Sequence, residues 1–153
     1  MNAEQRAAAE AVVKLGVWEW RPGMRSSYPF ANTHTGGTEW LPQFVVETED
    51  SELVFSRPDM PEMWSHAPVS FALDEAAIPD LTDGPTLRAM LDRLNDLAEG
   101  DFFTHFRTDG SAHLEVGRRK GRGLDVVTTW FGGPCEGTAL CAAFARVDRE
   151  AGR

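Results

Sequence analysis

Residues 44–56 read FVVETEDSELVFS, and the organisation of the chain follows from how that stretch divides. Residues 44–48 and 53–56 are short runs rich in Val and Phe, and Glu49, Asp50, Ser51 and Glu52 stand between them. Branched and aromatic side chains suit a pleated surface, whereas a polar cluster between two such runs marks a turn. An antiparallel hairpin with an acidic tip is the expected structure. Pro42 lies just ahead of it and either delays the first strand or places it at an edge, because proline cannot donate to a ladder.

Towards the N-terminus, residues 3–15 predict a helix. Ala8, Ala11, Val12 and Leu15 recur at helical spacing, and Gly16 stands where a left-handed cap would be needed. Residues 17–21 alternate, Trp18 and Trp20 on one side and Glu19 and Arg21 on the other, which is the period of a half-buried strand. Residues 22–37 read as a loop.

Towards the C-terminus, Pro58, Pro61, Pro68 and Pro79 exclude a long helix, so residues 58–79 read as an irregular crossing, with room for a short strand at residues 69–73. Asp83 or Gly84 can cap a second helix, Pro85 suits its first turn, and Leu87, Met90, Leu91, Leu94 and Leu97 form its apolar stripe. Residues 102–107 and 112–117 then pair around a loop of Asp109, Gly110 and Ser111. The register that separates an apolar face from a polar one sets Phe106 opposite Leu114, Thr104 opposite Val116, Arg107 opposite His113 and His105 opposite Glu115. A further strand covers residues 124–131, and Gly132, Gly133 and Pro134 break it before a last helix striped by Leu140, Ala143, Phe144 and Val147. The expected fold is α+β, a single domain over residues 1–153. It has a mainly antiparallel sheet of about five to six strands and three helices, in the order α-βββ-α-βββ-α.

The charge is uneven. The chain has 153 residues with 24 acids against 15 bases, a formal net charge of −9, yet residues 39–83 hold eleven of the acids and a single base, Arg57. The remainder is close to neutral. Such a balance argues against nucleic-acid binding, which draws on Lys and Arg displacing counterions from phosphates. No apolar run approaches the roughly 18–20 residues that span a bilayer, and the first fifteen residues lack a signal-peptide layout, so a soluble cytoplasmic protein is expected.

Four groups of residues carry candidate chemistry. Cys135 stands near a helix N-terminus, where the dipole lowers a thiol pKa; it is a candidate nucleophile, or simply a small residue at a helix start. Cys141, six residues on, falls on another side of the same helix and cannot bridge to it. His105, His113 and Glu115 share one face in the register above, as an acid/base pair or as a solvated cross-strand ladder. Arg118, Arg119, Lys120 and Arg122, interleaved with Gly117, Gly121 and Gly123, form either a phosphate-contacting loop or an exposed hairpin tip that could lie against the acidic segment. No P-loop pattern accompanies them. His34, His66, His105 and His113 show no metal-ligand spacing, and no metal or cofactor is expected. The fourth group lies in the acidic segment: Glu47, Glu49, Asp50, Glu52, Asp59 and Glu62 with the anchors Met63 and Trp64. Exposed Met and Trp are typical of interfaces, although a loop docking on its own core through them is the alternative.

Two stretches carry a resemblance: residues 20–25, WRPGMR, and residues 79–83, PDLTD, leading into Thr86, Leu87 and a Leu-rich helix. They resemble small uncharacterised proteins encoded by bacteriophages and prophages, which share a Pro-Gly-Met strand, a Pro-Asp-Leu-Thr-Asp helix entry and an Ala-Leu pattern like Ala139 and Leu140 in the final helix. The resemblance covers about a third of the chain, and Gly84 stands where that family has proline directly after the aspartate. It implies a phage-encoded protein in a host cytoplasm, with no activity and no site residues to carry over. The expectation is a non-enzymatic acidic protein that binds or inhibits a basic host or defence protein through residues 39–83. A small hydrolase or transferase using Cys135 or the His105, His113 and Glu115 face is the alternative, and a homo-oligomeric virion or assembly subunit is a third.

Overall fold

The 44–56 stretch is an antiparallel hairpin whose strands run beyond it at both ends. The computed structural model describes residues 1–61, 68–73, 76–97, 101–106, 112–120, 123–133 and 135–152. In chain order the elements are α1 (Ala3–Val12), β1 (Arg25–Ala31), β2 (Thr38–Glu47), β3 (Leu53–Pro61), β4 (Pro68–Ala72), β5 (Ile78–Pro79), α2 (Gly84–Leu97), β6 (Asp101–Phe106), β7 (Ala112–Lys120), β8 (Gly123–Gly133) and α3 (Glu136–Ala151). The fold is α+β, with three helices and antiparallel strands. It departs from a single sheet of five to six strands: the strands form one sheet in the order β4-β3-β2-β1-β5, in which β5 is only two residues, and a second in the order β6-β7-β8.

Two expectations near the N-terminus are corrected. Residues 17–21 are not a strand, and β1 lies inside the stretch read as a loop. Trp18 and Trp20 alternate because an extended segment packs them on one side, ring against ring at 5.4 Å, without pairing its backbone in a sheet. Strand β1 was hidden by polar residues on its buried side, where Ser26 is fully covered, and by Pro29. The Pro22–Gly23 turn launches it: the Met24 N–H donates to the Arg21 carbonyl and Gly23 takes φ +85°, a conformation glycine adopts without strain.

Proline also explains how the larger sheet ends. Thr48 and Glu52 close the β2–β3 turn, with the Thr48 N–H donating to the Glu52 carbonyl, and Val46↔Val54 and Phe44↔Ser56 follow in the same register. The hydrogen-bonded pairs are alternate ones, so the next would be Pro42 with Pro58. Neither has an N–H, and the β2–β3 ladder stops there. Strand β2 nevertheless continues to Thr38, paired with β1 alone, so Pro42 neither delays the strand nor sits at an edge of the whole sheet. Beyond Arg57, β3 pairs with β4 through a register shift, which places a strand in the crossing segment where residues 69–73 were expected to allow one.

Helix α1 opens with a capping box: the Asn2 side chain accepts from the Gln5 N–H while Gln5 Oε1 accepts from the Asn2 N–H. It ends at Val12 without using Gly16, and Ala9 and Val12 are its buried residues, Ala11 being exposed. Helix α2 is capped by Asp83, whose carboxylate accepts from the Thr86 N–H at 2.9 Å, and it buries Met90 and Leu94. Helix α3 buries Leu140, Ala143 and Phe144 and packs on α1, α2, β7 and β8. The two tryptophans tie it to the larger sheet, since Trp18 meets Phe144 edge-on at 5.6 Å and Trp20 meets the fully buried Phe55 of β3 at 5.2 Å.

In the smaller sheet the expected parity holds but the register differs by two. Phe106 pairs with Ala112, His105 with His113, Thr104 with Leu114 and Phe103 with Glu115. Among the described residues the ladder runs from Phe106↔Ala112 to Asp101↔Gly117, and the turn, residues 107–111, lies outside them. The basic run is likewise strand rather than loop. Arg118, Arg119 and Lys120 end β7, paired with Asp125, Leu124 and Gly123, so their backbone lies in a ladder, and Gly121 and Arg122 are outside the described residues.

Candidate functional site

Strands β2 and β3 carry the acidic tip into solvent. The Ser51 N–H donates to the Thr48 carbonyl at 3.0 Å, the Glu52 N–H donates to Thr48 Oγ1 at 3.1 Å, and Ser51 takes φ 62°. This is a three-residue loop with a left-handed closing residue, one residue shorter than the polar cluster suggested. Glu47, Glu49, Asp50 and Glu52 are all exposed, so four carboxylates project from six consecutive residues. Coulomb repulsion among them is largely screened by water and salt, and a basic surface brought against them gains attraction from all four at once.

Beside the tip, β2 presents an apolar face. Its odd-numbered residues Gln43 and Val45 are buried against the molecule, whereas Phe44 and Val46 are each 37% exposed on the opposite side. Trp40 and Pro42 continue that row, half-buried. The sequence masks this arrangement, because a buried glutamine next to an exposed phenylalanine inverts the usual polarity of a strand. Asp59 lies in β3 with its side chain outside what is described, and Glu62, Met63 and Trp64 fall outside the described residues.

The second candidate centre lies at the start of α3. Cys135 is the N-cap residue, and its Sγ accepts from Gln5 Nε2 at 3.4 Å, with the Thr138 hydroxyl at 3.6 Å. The same Gln5 amide is held from its other end by the capping box of α1. Partial burial pushes the Cys135 thiol pKa up, but hydrogen bonds from Gln5, from Thr138 and from the Gly137 amide outweigh it and hold the thiol below its ordinary value. Cys141 behaves oppositely: burial, with the neighbouring Cys135 charge adding to it, pushes its pKa up to about 12. Both cysteines are free.

Across the smaller sheet, His105 pairs with His113 and His113 pairs with Gly132, three residues before Cys135. The ladder thus brings the two histidine positions and the cysteine to one end of β8. Glu115 is offset from that row, opposite Phe103 and at a register shift in β8 between Val127 and Phe131. No group of three or more His, Cys, Asp or Glu able to hold a metal occurs among the described residues; His34 sits exposed at the β1–β2 turn and His66 is outside them. Gln5 was not visible in the sequence as a partner of Cys135, since the two are 130 residues apart and only the fold joins them. Comparison with protein-family models, with curated proteins and with solved structures returns no significant match.

Proposed function

We propose that the protein is a non-enzymatic acidic binding protein whose β2–β3 hairpin docks on a basic surface of another protein. One observation carries the reading: four exposed carboxylates at residues 47–52 adjoin two exposed apolar side chains, Phe44 and Val46, on the same strand. An apolar centre beside a charged rim is the usual anatomy of an interface, in which the apolar part supplies affinity and the charges steer approach. In the phage setting that the resemblance implies, the partner is a basic host or defence protein, and the tip occupies the place that nucleic-acid phosphates would take.

The test is affinity capture from bacterial lysate by three forms: the unaltered chain, Glu49→Lys with Asp50→Lys, and Phe44→Ser. A basic protein retained by the first at low salt and lost by both variants is the expected result. Equal retention by all three contradicts the proposal. The charge-reversed form should keep its stability within about 0.5 kcal/mol, because exposed turn positions contribute little to folding.

A second reading, a small hydrolase or transferase, is favoured by the row of His105, His113 and Gly132 leading to Cys135. In it Cys135 is the nucleophile and a histidine the base. Pairing of a thiolate with an imidazolium would make alkylation of Cys135 depend on His113, so an unchanged rate in His113→Ala removes this reading.

A further inference from the structure

The apolar face of β2 belongs to a wider surface. Directly paired residues of antiparallel strands share a face, so Pro29↔Trp40 and Val46↔Val54 place the odd-numbered residues 27–31 of β1, the even-numbered residues 38–46 of β2 and residues 54 and 56 of β3 on one outer side. The sequence puts no charged residue at any of these positions. Gln43, Val45 and Phe55 have the opposite parity and are buried, and the charged residues Glu39, Glu47 and Arg57 share that opposite parity. On the outer side Pro29, Trp40, Pro42 and Val54 are half-buried, and Phe44 and Val46 are exposed. Arg25 stands at the border, opposite Phe44, and is paired with Asp80 at 3.5 Å. Helices α1, α2 and α3 pack on one another and on β5, β6, β7 and β8. An apolar sheet face is ordinarily covered by a helix or by a second sheet.

Charge decides what covers this one. Residues 26–56 contain no Lys or Arg, and four exposed carboxylates stand at the β2–β3 end of the face. A second copy laid across it brings either its own acidic tip or its own β1–β2 turn, and neither carries a Lys or Arg to meet those carboxylates. The occupant has to supply the cations. An added strand binds main-chain groups at a sheet edge, whereas this surface offers side chains on a face. A helix presents an apolar stripe and a basic border on one element. The dimensions suit it: β1 to β3 spans about 10 Å, the diameter of a helix, and residues 38–46 extend about 26 Å, the length of about 18 helical residues.

We infer that the outer face of the larger sheet, from β1 across β2 to the start of β3, receives an amphipathic helix of a basic protein, whose Lys and Arg gather at the end lying over residues 47–52. The inference rests on the binding reading above and names the element by which the partner binds. Trp40 and Phe44 are its anchors, being the two large aromatic side chains in the β2 row. The carboxylates of the tip steer the basic end, and the positive end of the helix dipole favours the same orientation.

The test pans a displayed library of random peptides, each about 20 residues long to match the face, on the full-length chain at low salt. Enriched sequences should repeat apolar residues at i, i+3, i+4 and i+7, carry Lys or Arg towards one end, and gain helical circular dichroism when a synthetic copy binds. Ser27→Arg places a bulky cation on the β1 part of the face, outside the hairpin, and should weaken that peptide roughly tenfold. Thr38→Arg, at an exposed position of the same face, should do the same, and both variants should stay folded by circular dichroism. Glu39→Gln changes the net charge by the same amount on the opposite parity, and should bind within about twofold of the unaltered chain. Failure to enrich any peptide, enrichment of sequences that alternate with period two, or equal weakening by Ser27→Arg and Glu39→Gln overturns the inference. So does a dimer, seen by light scattering, that Ser27→Arg dissociates, because a second copy then covers the face. If the hairpin variants lose the protein captured from lysate while Ser27→Arg and Thr38→Arg retain it, this inference is wrong and the hairpin reading stands.

Discussion

A Cβ on Gly137 would sit 2.6 Å from the Leu81 Cβ and 2.9 Å from the Leu81 carbonyl oxygen, so α3 can approach the α2 entry only with glycine at that position. The neighbour is backbone as well as side chain and cannot swing aside. Gly137→Ala should cost about 2–3 kcal/mol in urea denaturation, as overpacking of a close contact does. An unchanged midpoint would show that the helix can shift outward. The two cysteines give a second residue-scale test, in pH dependence. A thiol held below its ordinary value presents more thiolate at a given pH, and one raised to about 12 presents almost none. Iodoacetamide at pH 8 should therefore label Cys135 far faster than Cys141 in the folded chain, as peptide mapping by mass spectrometry would register. Equal labelling would contradict the hydrogen-bonded geometry at Gln5 and Thr138.

Among the elements, the junction of β1 and α2 depends on Thr86. Its hydroxyl donates to the Asp83 carboxylate at 2.6 Å and accepts from the Arg25 N–H at 2.7 Å, while the residue is fully buried. Thr86→Val keeps the shape but strips both groups of a partner, and a loss of about 1–3 kcal/mol in denaturant titration is expected. A neutral substitution would mean that water reaches the junction. The elements also show what the sequence made legible. Helices α2 and α3 were plain because apolar residues recur at a period no strand shares, and the β2–β3 hairpin was plain because its polar tip is flanked by Val and Phe. Strand β1 was not, because Ser26 and Gln43 put polar side chains on the buried face and Pro29 resembles a loop residue until its place on the outer edge is known. The register of β6 and β7 was readable in parity alone: alternation decides which residues share a face, whereas the starting point of pairing depends on the turn.

Over the whole molecule, the candidate binding residues were legible as charge and not as shape. Counting located the acids in residues 39–83, but the exposure of Phe44 and Val46 depends on which side of β2 meets the core, and that is decided by Trp20 packing on Phe55. Gln5 and Cys135 meet for a similar reason, through the packing of α1 on α3. No helix among the described residues is long and apolar enough to cross a membrane. The two candidate centres lie in different sheets, one at the β2–β3 turn and the other where β8 runs into α3, so binding at one need not protect the other. Hydrogen–deuterium exchange of the full chain, with and without the basic protein that it captures, separates them directly. The account predicts slowed exchange across residues 44–56 in the complex and unchanged exchange at Gly132 to Thr138. Protection confined to the Cys135 end of the smaller sheet, with residues 44–56 unaffected, would contradict it.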